Sequence, residues 1–352
     1  AERARMLGIE PVILRGRHRY AASLVTATAR ALADAGAEVV HVHGYKATIV
    51  SVLAARRFRA TFGLVKTEHG LPEPSRRRNV AWLKSRVNHR LGLLATRWGS
   101  PVVAYVSRDL ADRYAVAHRG LVRTVIPNGI EPLDRTVFPR PPELDTDRVE
   151  LGIVGRVTEV KGIGSALRAL ACPGLPASVR LNVIGFGPAE QELHREAEAL
   201  GVGATVRFLG FRRNVLDFLA HLDALLIPSL HEGLPYTLLE AMSLGVPIIA
   251  SRVGGLQEVL RDGETALLVA PGDAAALNAG ICRLLEDRTL AKRLGTAAGA
   301  LQRREYTLDR MGHRYWELYR SRREPALCER REEAAGRSTM RTQRTPSPAE
   351  RH

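Results

Sequence analysis

Short apolar runs alternate with amphipathic stretches along most of the chain. In the first half, residues 11–14, 37–43, 64–67, 102–106 and 122–126 have the length and β-branched content of buried strands. The intervening stretches 20–35, 47–57, 76–94 and 108–116 carry helical spacing, and Gly36 stops the first of them. The second half repeats the scheme, with strands at 149–154, 181–184, 206–209, 224–227 and 247–250. These run into glycine-containing loops, and a helix is expected at 236–244, stopped by Gly245. Two last helices are predicted at about 273–304 and 307–321, with Trp316 and Tyr319 as anchors of the final one. Such alternation predicts an α/β protein with parallel strands and covering helices.

The division into domains follows from the punctuation. Ile126-Pro127-Asn128-Gly129-Ile130 reads as a turn, and 131–148, rich in Pro and Asp, as a linker. This gives a first domain at 1–130, a second at 149–305, a helix at 306–321 and a polar, aperiodic, disordered basic tail at 322–352. Within the linker, Asp145-Thr146-Asp147 reads as polar linker residues and not as a metal pair, because it precedes a strand.

At 352 residues and 45% hydrophobic content, two cores are within reach. No apolar run approaches the ~20 residues needed to cross a bilayer, and AERARMLGIE lacks the apolar segment of a secretory signal. Cys172, Cys282 and Cys328 are scattered without metal spacing, which suits a reducing cytoplasm. The net charge of +15 is uneven. Residues 1–130 hold 22 Lys and Arg against 8 Asp and Glu, whereas 131–320 hold 22 against 24. An anionic partner for the first half is the consequence. No nucleic-acid recognition motif accompanies the charge, so nucleic acid is not expected. The segment 76–90, RRRNVAWLKSRVNHR, is basic with Val80, Leu83, Val87 and Leu91 at helical spacing. It suits either an anionic membrane surface or packing on its own sheet.

The most informative stretch is PSLHEGLPYTLLEAMSLGVPIIAS, 228–251. Glu232 lies in a loop after an apolar strand, and Glu240 one helical turn inside the next helix. The turn Gly233-Leu234-Pro235 places backbone N–H groups at a helix N-terminus, where a phosphate is well held. A carboxylate nearby accepts hydrogen bonds from a ribose diol. Arg156 and Lys161, in Gly-Arg-x4-Lys-Gly after strand 149–154, offer a fork and a point charge for a diphosphate.

This combination resembles the donor-site motif of retaining glycosyltransferases of the GT-B fold, family 4 class. The resemblance runs from about Val39 to Tyr319. It implies two Rossmann-like doubly wound parallel-sheet domains facing a cleft. It further implies that Glu240 binds ribose, that Glu232 contacts the donor sugar and its phosphate, and that Arg156 and Lys161 clamp the diphosphate. His69, in Thr67-Glu68-His69-Gly70, would orient the transferring sugar, and His43-Gly44 resembles an earlier histidine loop. Gly187, beside Phe186, and Phe211-Arg212 would lie at the nucleobase. Ser229 and Gly254-Gly255 read first as turn formers, and Glu258 as a local cap or pair.

The family's usual opening strand and Gly-rich loop have no counterpart in residues 3–14. The implied activity is transfer of a sugar from a nucleoside diphosphate sugar to a hydroxyl of a glycan, lipid-linked or small-molecule acceptor. No cofactor or metal is expected, and the location is cytoplasmic or peripheral at the inner membrane face. A nucleotide-sugar epimerase and a truncated, non-catalytic nucleotide binder remain open.

Overall fold

A computed structural model describes residues 8–14, 20–59, 62–72 and 80–322, with the backbone alone for 80–82. The start of the predicted helix at 76–79 and the tail from 323 onward lie outside the described residues. The first sheet contains β1 (Val39–His43), β2 (Gly63–Glu68), β3 (Val102–Tyr105) and β4 (Arg123–Val125) in that order, all parallel. Its helices are α1 (Ala22–Asp34), α2 (Gly44–Phe58), α3 (Val80–Gly99) and α4 (Arg108–Arg113). β3 is buried at every position, as expected of a strand covered on both faces. The strand expected at 11–14 is not formed. Val12 and Ile13 are exposed there, and β1 pairs only with β2 among the described strands.

The second sheet is six-stranded and parallel: β5 (Val149–Val154), β6 (Val179–Ile184), β7 (Val206–Gly210), β8 (Ala224–Ile227), β9 (Ile248–Ser251) and β10 (Leu267–Val269). Their spatial order is β10-β9-β8-β5-β6-β7. The chain therefore winds one way from β5 to β7 and the other way from β8 to β10. β5 and β8 meet where the direction reverses, and in open parallel sheets ligands bind outside the carboxyl ends at that point.

The helices of this half are α5 (Ile163–Ala171), α6 (Glu190–Ala199), α7 (Val215–Ala220), α8 (Tyr236–Ser243), α9 (Gly254–Val259), α10 (Ala274–Glu286) and α11 (Arg288–Glu305). A last helix, α12, covers 308–322. The single helix expected at 273–304 is two. Asp287 leaves helical geometry (φ −111°, ψ 85°) and its carboxylate accepts from the N–H of Leu290 at 2.8 Å, which starts α11 anew.

Two apolar clusters cover the faces of the second sheet. One is internal to that half. The other joins Leu225, Leu238 and Leu256 to Val103, Tyr105 and Leu110 of the first half, so the two halves share a core. The chain crosses between them at two adjacent places. Ile130 donates its N–H to the carbonyl of Tyr306 at 3.1 Å, and Leu308 donates to Ile130 at 3.0 Å. Gly129 lies so close to Thr307 that a Cβ would collide with its carbonyl oxygen. Asp145, read from the sequence as linker polarity, is clasped by Arg180 and Arg207 and so ties the linker to the second sheet.

Candidate functional site

The residues singled out after β5 and β8 meet. Lys161 closes a single 3-10 turn (Glu159–Lys161) whose direction is set by Gly162 in the left-handed region, φ 65°. Its Nζ donates to Glu232 Oε1 at 2.6 Å. Ser229 Oγ donates to the same oxygen at 2.8 Å, and both Ser229 and Glu232 are buried. Ser229, read from the sequence as a turn former, thus holds the carboxylate. The loop carrying Glu232 is seated by glycines. A Cβ at Gly233 would collide with the carbonyl oxygen of His69, and one at Gly255 with the carbonyl of Gly233. Gly255 also donates its N–H to Glu232 O at 3.2 Å.

His69 and the β8 loop therefore touch across the two halves. A cleft of about 1660 Å³ opens beside them, lined by Lys66, His69, His89, Tyr114 and Arg156, among others. Pro235 caps α8 and lines a small recess with Lys161, Ser229 and Glu232. Leu234 instead gives its side chain to the core, while its carbonyl accepts from Asn128 Nδ2 at 2.7 Å. Glu240 stands half-buried on α8, a turn in from Tyr236. Gly187 lies against the carbonyl of Val157, where a side chain would not fit. Phe211 is exposed and meets Phe186 edge-on, with centroids 6.4 Å apart. Arg212 pairs with Glu143 at 3.2 Å and lies over the ring of Phe218.

Glu258 acts across the halves and not locally. Its carboxylate accepts from the N–H groups of Arg108 and Asp109 at 2.9 and 2.6 Å, at the start of α4. A carboxylate is favourable there because the first N–H groups of a helix lack internal partners.

Behind His69 stands a network that periodicity did not disclose. His69 Nε2 and His43 Nδ1 share a hydrogen bond at 2.8 Å, and His43 packs on His41 with centroids 4.3 Å apart. His41 bonds Tyr319 through Nδ1 (2.6 Å) and Thr67 through Nε2 (2.7 Å), and Thr67 bonds Tyr315 (2.8 Å). Burial, with the neighbouring histidines, pushes His41 down to about 4, and burial also lowers His43 and His69. Tyr319 thus anchors α12 as expected, whereas Trp316 is 57% exposed and Tyr315 takes the second contact. The i,i+2 spacing of His41 and His43, which places both on one strand face, was the available signal.

A second missed cluster lies one residue earlier. Lys66 is buried, pairs with Glu68 and donates to Thr96 Oγ1 at 2.9 Å. Tyr105 bonds His118 at 2.7 Å beside them. Burial raises Glu68 against the opposing pull of Lys66, and burial lowers His118 to about 4.

Comparison with known proteins bears on the family and the fold. Residues 134–300 match the family described as Glycosyl transferases group 1, and 2–132 match Glycosyltransferase Family 4. A D-inositol 3-phosphate glycosyltransferase of Acidothermus cellulolyticus is 30% identical over 86% of this chain and 70% of its own. The lipopolysaccharide core biosynthesis glycosyltransferase LpsE of Rhizobium meliloti is 37% identical over 40% of this chain. Only 41% of LpsE is matched, and 44% of a Bacillus anthracis N-acetyl-alpha-D-glucosaminyl L-malate synthase, so the match spans under half of these relatives. Among solved structures, Anabaena Alr3699/HepE in complex with UDP and glucose superposes with a TM-score of 0.74 at 22% identity, covering 91% of this chain and 88% of that one. Sucrose-phosphate synthase from Thermosynechococcus elongatus gives 0.71 at 23% identity, covering 85% and 77%. With two Rossmann-like halves, a charged pair at the second sheet's reversal point and a relative matched over most of both chains, this chain belongs to the family 4, group 1 glycosyltransferases of GT-B fold.

Proposed function

We propose that the chain moves a sugar from a nucleoside diphosphate sugar to a hydroxyl acceptor, with retention of anomeric configuration. The observation that carries this reading is the Lys161–Glu232–Ser229 cluster at the carboxyl ends of β5 and β8, facing His69 from the other half. Without donor, Glu232 holds Lys161. As a diphosphate enters, Lys161 turns to it beside Arg156, and Glu232 is released toward the donor sugar and its phosphate. Glu240 takes the ribose, with the Gly233-Leu234-Pro235 turn as backbone support. Phe211, Arg212 and Gly187 border the base.

In the transfer, the bond from the anomeric carbon to the diphosphate oxygen breaks with its electron pair going to phosphate. The acceptor oxygen bonds to the same face of that carbon, and its proton passes to the leaving phosphate oxygen. Charge grows on the diphosphate, and preorganised cations are most valuable where charge develops. Burial, with His43 beside it, favours the neutral form of His69, which suits it to hydrogen-bond the sugar. The HepE complexes with UDP and UDP-glucose make a UDP-sugar the first donor to try, and the lipopolysaccharide core relatives favour a glycan acceptor. With these cations present the reaction needs no divalent metal, and a chelator should leave the rate unchanged.

The test is incubation with UDP-, GDP- and ADP-sugars and a panel of glycan acceptors, with release of nucleoside diphosphate measured and the product anomer read by NMR. Transfer with retention is expected from one donor class. An inverted product, a free epimerised nucleotide sugar, or binding without turnover on any acceptor contradicts the reading.

A further inference from the structure

We propose that His43 is a positioning residue for the transfer, holding the ring of His69 in one of its two orientations and leaving it a single nitrogen for the sugar. This role rests on the transfer reading and adds a residue to it. His41 and His43 share one face of β1, because side chains two apart on a strand point the same way. Thr67 on β2 and His69 just past its end follow the same rule. The parallel register sets His43 against Thr67, so His69 comes two residues further along the neighbouring strand.

That offset brings the two imidazoles edge to edge. Nδ1 of His43 and Nε2 of His69 are 2.8 Å apart, with ring planes 26° from parallel. Among the described residues, no other side chain bonds the His69 ring. An imidazole turns readily about its second side-chain torsion, whose profile is broad and two-fold. His69 is exposed in a loop, so the bond to His43 chooses between its flips. His43 is itself held. It packs on His41 with centroids 4.3 Å apart, and Tyr319 and Thr67 engage both nitrogens of His41. The anchoring passes from α12 through two strand residues to the loop at the cleft, which His69 lines. A side chain locked on a strand sets geometry more tightly than a loop alone.

A bond between ring nitrogens takes one N–H and one lone pair, and each neutral imidazole has one of each. If His69 donates, His43 offers a lone pair at Nδ1 and carries its proton on Nε2. If His43 donates, His69 offers Nε2 and carries its proton on Nδ1. The neutral rings therefore share a tautomer in either case, and Nδ1 of His69 is the nitrogen left for a sugar hydroxyl. Two imidazolium rings would set N–H against N–H, so the bond exists only while at least one ring is neutral. Burial favours the neutral form of both.

The experiment compares His43→Leu with His43→Asn, whose amide takes the place of Nδ1 and can donate or accept. With the active donor, kcat should fall about 10²-fold in His43→Leu, the cost of a group misplaced by about an ångström. His43→Asn should recover it to within about tenfold of wild type. Lost packing alone would not be rescued by the polar residue. UDP affinity by calorimetry should stay at the wild-type level in both, because UDP lacks the sugar that His69 meets. Ring nitrogen-15 spectra of the free chain should show His43 and His69 in the same tautomer. His69 should lose its single tautomer in His43→Leu and keep it in His43→Asn. Equal falls of kcat in both variants, wild-type kcat in His43→Leu, or spectra with the two rings in different tautomers would overturn the proposal. A wild type that transfers no sugar contradicts the transfer reading, whereas the spectra of the free chain test the His43–His69 pair without it.

Discussion

At Glu232 a single oxygen receives both the ammonium of Lys161 and the hydroxyl of Ser229. Their roles are therefore not separable: removing Lys161 takes away a cation for the diphosphate and leaves a buried carboxylate with one donor fewer. Lys161→Ala should lower kcat/KM with the active donor by about 10²–10³, the usual effect of deleting one preorganised electrostatic contact. A fall of less than tenfold in steady-state assays would place Lys161 outside the reacting charge. Lys66 offers a contrast, since its partners are structural. It is buried with Glu68 and Thr96, and removing one member of a buried pair strands the other charge. Lys66→Met should cost about 3–5 kcal/mol in urea unfolding. A near-neutral result would mean that Glu68 is protonated in the native state.

Among the elements, α12 is held through a titratable contact. It reaches the first half through Tyr319 on His41 and Tyr315 on Thr67. Because the folded pKa of His41 lies below its unfolded value, the unfolded chain binds more protons between the two. Stability from this contact is present above pH 6.5 and is lost as pH falls toward about 4. Hydrogen exchange should show 308–322 loosening over that window before the second sheet does. Equal protection of α12 at both ends of the window would contradict this. Tyr319→Phe should remove about 1 kcal/mol at neutral pH, read from the same unfolding assay.

The strands were legible in the sequence because burial on both faces leaves continuous apolar runs, as at β8 and β9. The contacts of α12 were not. His41 and Tyr319 are 278 residues apart, and no local pattern tells which of Tyr315 or Trp316 turns inward. Likewise the stripe on α3 was visible as a period, but its exposure depends on small residues taking the inner face.

At the scale of the molecule, the halves are joined by a shared core, by Glu258 on the start of α4 and by the paired crossings at 128–130 and 306–308. Gly129→Ala drives a methyl into the carbonyl of Thr307 and separates those crossings. The expected loss is about 1–3 kcal/mol, seen as a lower melting temperature, and an unchanged value would show that the crossings are not packed in solution. Glu232, Lys161 and Arg156 were legible as a motif because each follows a strand end. That they converge became clear only from the strand order, since Lys161 and Glu232 lie 71 residues apart on neighbouring β5 and β8.

Titration calorimetry of UDP-glucose into the wild-type chain and into Glu240→Ala and Lys161→Ala tests the nucleotide-sugar site most directly. Saturable binding by the wild type, weakened at least tenfold in each variant, is the predicted result. Wild-type affinity retained in both variants, or no heat from UDP-, GDP- or ADP-sugars, would contradict it.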